Sequence, residues 1–290
     1  MSGEVSGVVA SVVVPAYNAA ATIGEQLAAL RRQRGDITYD VIVADNGSSD
    51  ETAAEVRRWM AGWPALRLVD AASRRGSAYA RNVGAAQAVG QWLAFCDADD
   101  IVDDGWLEAL AEYVRPDRVV FGTLRVDSLN SPSVLRWRSS PHAASLAEPG
   151  PSDSFAPSGN MAIYRSTYLH LGGLNEEYPK SHDVEFAVRV RKAGLEIFEV
   201  PGAVVNYRYR STLRAVYRQA YRGGRAVAQL RAEHGSSLAP RSARTTMRAY
   251  WWLLSRLPLL LTERRGLWVA SVGGAIGRIS GSVRYRVWSL

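Results

Sequence analysis

The first hundred residues change their hydrophobic period repeatedly, and few architectures satisfy that pattern. VVASVVVP (8–15), YDVIVADN (39–46), LRLVD (66–70) and QWLAFCD (91–97) read as short buried strands. Between them lie helical stretches: Thr22 to about Gln33, Asp50 to Met60, and GSAYARNVGAAQAVG (76–90). Thr22 and Asp50 stand where N-caps belong. Strand–helix order of this kind predicts an α/β fold: a Rossmann-like, mostly parallel central sheet with helices on both faces. In such sheets, ligands bind beyond the carboxyl ends of the strands. Three polar clusters fall at those ends. They are Pro15-Ala16-Tyr17-Asn18, then Asp45 to Asp50 (DNGSSD), then Asp97-Ala98-Asp99-Asp100. None alone makes a site; three on one rim do.

The second half is less regular. Residues 127–158 are rich in Ser, Pro and Ala and lack a period, as a functional loop or a disordered connection would be. GNMAIYR (159–165) reads as a strand, 182–193 as a helix, and EIFEV and AVVNYRYR as a strand pair. Beyond about residue 211 only helices are expected. The predicted organisation is a catalytic domain over 1–210, with halves at about 8–100 and 101–210. A helical, Arg-rich extension follows over 211–290.

Charge follows the same division. Residues 206–290 hold sixteen Arg, no Lys and two acids, a net of +14; the chain totals +7, so the remainder sums to −7. A basic extension on an acidic body suits a polyanionic partner, with solvated helix faces as the plainer alternative. Its longest uncharged runs, AYWWLLS and GLWVASVGGAIG, fall short of the roughly 20 apolar residues that a spanning helix needs. Trp251, Trp252 and Trp268 beside arginines instead predict peripheral contact with an anionic membrane surface. Arg214, Arg218, Arg222 and Arg225 recur at helical spacing as one basic stripe. No nucleic-acid motif is present, so no nucleic-acid partner is expected. One cysteine, Cys96, and an N-terminus without a basic n-region predict a cytoplasmic protein, peripheral at the inner face of the plasma membrane.

Close carboxylates closing an apolar strand repel one another unless a cation lies between them. Carboxylate and phosphate oxygens are the ligands that Mg²⁺ and Mn²⁺ prefer. Asp103 and Asp104 are explained more simply as caps for a helix at 105–114. No GxxxxGK[ST] loop is present, and PAYN stands where a GxGxxG would follow the first strand. A nucleoside diphosphate held by metal rather than by a glycine loop points to a sugar-nucleotide enzyme.

VVVPAYNAAATI, VIVADNGSSDET, ARNVGAAQAVGQWLAFCDADD and GNMAIYR…GGLNEEYPKSHDVEFAVRVRKAG resemble, in order, the blocks of the family 2 glycosyltransferases, which have the GT-A fold. The resemblance spans roughly residues 8 to 210. It implies that Pro15, Ala16, Tyr17, Asn18 and Asp45 contact the nucleoside of a nucleotide-sugar donor. It places Arg75, Gly76 and Arg81 near the base and diphosphate, Asp97 near the ribose, and the metal on Asp99. Asp100 leaves that register ambiguous. It implies that Asp183 is the general base, with His182 standing where the family commonly has Glu. Asn160 and His182 become candidates for contact with the acceptor. The distal QxxRW block of processive synthases is absent, which implies transfer of a single sugar.

Helical phase bears on the base independently. At about 100° per residue, Asp183 falls among Phe186, Ala187 and Val190, and Glu185 falls with Arg189 and Lys192. Asp183 is therefore expected to face inward, or to serve as an N-cap. Glu185 is expected on the solvent face in an i,i+4 pair with Arg189. The resulting expectation is an inverting, metal-dependent transfer from a UDP-sugar to an acceptor hydroxyl, lipid-linked or in the cell envelope. Two alternatives stay open: a nucleotidyltransferase that makes the sugar nucleotide, and a non-catalytic polyanion-binding scaffold.

Overall fold

A computed structural model describes residues 9–137, 150–152, 155–235 and 243–289. The N-terminal elements are β1 (Ala10–Ala16), α1 (Ile23–Arg31), β2 (Tyr39–Asp45), α2 (Thr52–Met60), β3 (Leu66–Asp70), α3 (Ser77–Gln87) and β4 (Trp92–Cys96). Then come β5 (Ile101–Val102), α4 (Trp106–Tyr113), β6 (Arg118–Arg125), α5 (Pro132–Leu135), β7 (Gly150–Pro151), β8 (Asn160–Tyr164) and α6 (Arg165–His170). The rest are α7 (His182–Lys192), β9 (Glu196–Asn206), α8 (Leu213–His234), α9 (Ala243–Ser255), a 3-10 turn (Leu257–Leu261) and α10 (Arg265–Tyr285).

The described residues divide into two compact units: one of 9–125, 150–152, 155–177 and 182–207, the other of 126–137, 178–181, 208–235 and 243–289. The first carries a nine-stranded sheet in the order β3-β2-β1-β4-β8-β6-β9-β5, with β7 also on β9. β1 to β4 pair in parallel. β8 then runs antiparallel to both β4 and β6, so the second half of the sheet is mixed. Both faces are covered, which is why β1 is apolar at successive positions rather than alternating. Val12 and Val14 join Leu27, Leu30, Trp106 and Leu110 on one face. Val13 joins Ile42, Phe95, Met161 and Phe186 on the other.

The two runs read as a strand pair form one strand, β9. Its pairing with β6 is shifted between Gly122 and Thr123, stepping from Val200 to Val204 across Pro201. A Cβ on Gly122 would lie 1.8 Å from the Ala203 carbonyl oxygen, so only glycine fits opposite this irregularity. The caps also differ from expectation. Thr22 makes no side-chain capping bond, and its hydroxyl donates to the Ala19 carbonyl. Asp50 accepts the Thr52 backbone N–H from one residue before the N-cap Glu51. Asp103 and Asp104 do not cap α4, which has Gly105 at its N-cap; Asp103 binds Arg125 and Asn206, and Asp104 pairs with Arg32 and Arg34.

In the second unit, α8 and α10 approach closely enough for backbone contact. Gly273, Gly277 and Gly281 recur every four residues along α10. Added Cβ atoms there would lie 2.7 Å from Tyr217 O, 2.1 Å from Tyr221 O and 2.6 Å from Ala228 Cβ. Gly224 on α8 is equally tight, 2.3 Å from Gly274 O. Gly223, its neighbour, has nothing within 4 Å. This contrast is a test with opposite signs. Replacing a helical Gly by Ala gains up to about 1 kcal/mol in propensity, whereas overpacking costs about 1–3 kcal/mol. Gly277→Ala should therefore lower stability to denaturant by roughly 1–2 kcal/mol, and Gly223→Ala should raise it slightly. Equal effects of the two would contradict the helix contact.

Candidate active site

Ladder register aligns the rim. Ala16 is paired with Asp45, and Asp45 with Asp70, at the carboxyl ends of β1, β2 and β3. The turn after β1 is locked to the turn after β2. Asn18, at φ 50°, donates its N–H to Ser48 Oγ (2.9 Å), and its Oδ1 accepts the Ser49 N–H (2.8 Å). Asp45 Oδ1 accepts from the Ser48 N–H (3.1 Å) and hydroxyl (2.5 Å). Tyr17 is exposed, and the Arg75 guanidinium lies 4.6 Å from its ring centroid. Buried Asn46 fixes the Arg75 loop: its Nδ2 donates to the Ala71 and Arg74 carbonyls, and its Oδ1 accepts the Gly76 N–H (2.8 Å). Gly76 sits at φ 144° just before α3. The result is a notch with an aromatic face, a cation and a carboxylate.

Beside it, at the end of β4, ligand oxygens of Asp97, Asp99 and Asp100 come within 4.8 Å of one another. Asp97 is held by Arg81. This arginine is 2 % exposed on a helix of small residues, donates from Nη2 to Asp97 Oδ1, and ties Nε to the Ser158 carbonyl (3.1 Å). Gln26 steadies the turn, donating to the Asp97 carbonyl (3.0 Å) and accepting the Val102 N–H (3.1 Å). Cys96 is fully buried one residue earlier. Burial pushes its thiol up, and the charges of Asp97 and Asp100 push it further, so the sole cysteine stays protonated.

The helix carrying Asp183 departs from its expected phase. Asp183 is half-buried in the first turn of α7 and accepts the Val184 N–H at 2.9 Å; it is not sunk among the apolar residues. Glu185 is not on a solvent face. It is 2 % exposed and takes a two-point contact from Arg189, at 2.7 and 2.8 Å. Arg189 also donates to the Leu171 and Gly173 carbonyls. The pair therefore braces the turn at Gly172 and Gly173, both at positive φ, which folds over what a wheel treats as solvent. His182 is buried, with Nε2 3.0 Å from Ser158 Oγ, so it faces the loop before β8. Asn160 is also displaced from its expected role. It is fully buried, accepts from Trp106 Nε1 and donates to the Thr123 and Ala203 carbonyls, so its side chain is spent on joining the sheet to α4.

Sequence reading missed the network linking these parts. Arg74 pairs with Glu176 (3.0 Å) and Glu177, and Asn82 binds Leu174, Glu176 and the Tyr168 hydroxyl. Burial raises that hydroxyl's pKa, so Tyr168 remains a donor. A cavity of about 390 Å³ bordered by Arg74, Asn82, Glu176, Glu185 and Arg189 lies here. Its charged lining is already paired, and none of the rim aspartates borders it. The sequence signal for it was slight: a polar Asn82 directly after Arg81 on a helix of mostly small residues; Asn82 is half-buried.

Comparison with known proteins is consistent with this arrangement. Residues 11–172 match the family described as glycosyl transferase family 2. The chain is 28% identical over 239 residues to the pre-mycofactocin glycosyltransferase of Mycobacterium tuberculosis, covering 79% of this chain and 49% of that protein. It thus spans about half the length of that curated relative. It is 37% identical over 99 residues to glycosyltransferase AglE of Haloferax volcanii, covering 34% of this chain and 33% of that one. Among solved structures, it resembles the mannosyltransferase PcManGT from Pyrobaculum calidifontis in complex with GDP-Man and Mn²⁺. The TM-score is 0.60 at 23% identity, covering 96% of this chain and 77% of that one. It also resembles S. aureus TarS 1–349 in complex with UDP, with a TM-score of 0.55 at 19% identity, covering 96% and 91%. These likenesses show the GT-A fold.

Proposed function

From the premise that the chain belongs to glycosyl transferase family 2, we propose that it transfers a single sugar, with inversion, from a nucleoside-diphosphate sugar to an acceptor hydroxyl. The observation that carries this reading is the convergence of Asp97, Asp99 and Asp100 at the end of β4, on the rim that also bears the Tyr17–Arg75 notch. Three hard oxygen donors fit Mn²⁺ or Mg²⁺ and fit no softer metal as well. Asp99 is the proposed ligand, with Asp97 and Asp100 beside it. When bound, the metal supplies a Lewis acid for the nucleoside diphosphate as it leaves.

The remaining roles belong to the chain itself. The Tyr17 ring and Arg75 hold the nucleoside, with Asp45 at its edge, and the Gly76 backbone lets the diphosphate approach α3. Arg81 fixes Asp97 so that the carboxylate does not turn away. Asp183, half-buried in the first turn of α7, is the base that receives the acceptor proton. A UDP donor is favoured by the UDP complex of TarS; the GDP-Man complex of PcManGT keeps GDP in the test. The basic, Trp-bearing extension favours a lipid-linked or cell-envelope acceptor at the inner, cytoplasmic face of a membrane.

Product identity tests the reaction class. Incubated with UDP- and GDP-sugars and Mn²⁺, the protein should release nucleoside diphosphate. Pyrophosphate release from a nucleoside triphosphate and a sugar 1-phosphate would instead identify a nucleotidyltransferase.

A further inference from the structure

We propose that residues 247–265 form a docking surface for an anionic phospholipid bilayer. The carrying observation is an apolar stripe left uncovered by its own unit. Met247 and Trp251 are each 71 % exposed, Leu254 is 72 % and Leu261 is 93 % exposed, with exposed Leu257 between the last two. Met247, Trp251 and Leu254 are spaced four and three residues apart, on one side of α9, and exposed Leu257, Leu260 and Leu261 continue the apolar surface along the 3-10 turn. The opposite side is anchored. Trp268 on α10 donates its Nε1 proton to the Leu253 carbonyl at 2.9 Å, and Trp252 is half-buried. Of the three tryptophans noted in the sequence, Trp251 alone therefore points outward. Exposed apolar patches of this extent mark interaction surfaces.

Charge selects the occupant. Arg248, Arg256, Arg264 and Arg265 are exposed along the same segment. The one acid between residues 243 and 289, Glu263, lies 3.0 Å from Arg136. A second copy of the same surface would set arginine against arginine, which costs rather than contributes. A bilayer bearing anionic headgroups satisfies both features at once: acyl chains for the stripe and phosphates for its borders. Among the described residues no helix is long and apolar enough to cross a membrane, so the element lies in the interface plane. This inference deepens the membrane part of the reading above and does not depend on turnover. Nucleoside diphosphate release measured without vesicles separates failure of one from failure of the other.

The test is co-sedimentation of the full chain with vesicles of phosphatidylcholine alone or mixed with phosphatidylglycerol, at low and high salt. Binding should require phosphatidylglycerol and weaken with salt. Leu254→Asp/Leu261→Asp should reduce partitioning at least about a hundredfold, the scale that two leucines contribute when buried. Arg264→Gln and Arg265→Gln should each reduce it about fivefold. These side chains are exposed, so melting temperatures should be unchanged. Should a variant fail to fold, quenching of wild-type tryptophan emission by brominated lipid decides, and Trp251 predicts strong quenching. Absence of binding to anionic vesicles, undiminished binding of the folded double variant, or dimerisation through this face without vesicle binding would each overturn the proposal.

Discussion

Asp183→Asn should bind donor and metal as the wild type does, yet transfer sugar roughly 10²- to 10⁴-fold more slowly, the range a positioned general base contributes. The substitution is structurally mild. Asp183 stands in the first turn of α7, half-buried, and one carboxylate oxygen accepts the Val184 N–H. An amide oxygen can accept the same bond, so the helix start survives while proton acceptance is lost. Neighbouring groups do not substitute for it. Glu185 is committed to Arg189, and His182 Nε2 faces Ser158 inside the fold. Steady-state rate and donor affinity, measured separately, check this. Unchanged turnover would remove Asp183 from the mechanism.

The second large effect separates two neighbouring aspartates, Asp97 and Asp99. Asp99→Asn should abolish metal-dependent donor binding and leave stability within about 0.5 kcal/mol, as a change at a partly exposed position does. Asp97→Asn should lower stability as well. Its partner Arg81 is 2 % exposed, and removing the counter-charge strands a buried cation. Breaking a fully buried pair costs about 3–5 kcal/mol. Asp97 is one-third exposed, so solvent screening reduces this to roughly 2–3 kcal/mol. Denaturant titration without metal reads the stability term, and calorimetry with Mn²⁺ and donor reads the binding term. Equal loss of stability in both variants would contradict the assigned division of labour.

The parallel half of the sheet was legible because its signals are local. Each of β1 to β4 is an apolar run closed by polar residues, and β3 lies where LRLVD predicts it. The rim followed from that order: Ala16 pairs with Asp45 in the ladder, and Arg75 lies over the Tyr17 ring. What could not be read depends on the chain returning to itself. β8 enters antiparallel beside β4, a choice no local pattern encodes. Glu185 has the spacing of a surface pair, and only the folded loop over Gly172 and Gly173 makes it interior. Asn160 stands as an acceptor candidate through the resemblance, yet its bonds to Trp106, Thr123 and Ala203 join elements far apart in sequence. Arg81 reads as a donor contact, whereas the fold shows it as the buried counter-ion of Asp97.

The central claim is a metal-dependent sugar-nucleotide site built on Asp99. The most direct measurement is the melting temperature of the wild-type and Asp99→Asn proteins with UDP- and GDP-sugars, each with Mn²⁺ and with chelator. A ligand at one hundred times its Kd stabilises the native state by about 2.7 kcal/mol, enough to resolve as a shift. At least one donor should give a shift that needs Mn²⁺ and is lost in Asp99→Asn. Flat melting curves across the panel, or a donor shift indifferent to Mn²⁺ and to Asp99→Asn, would contradict the claim.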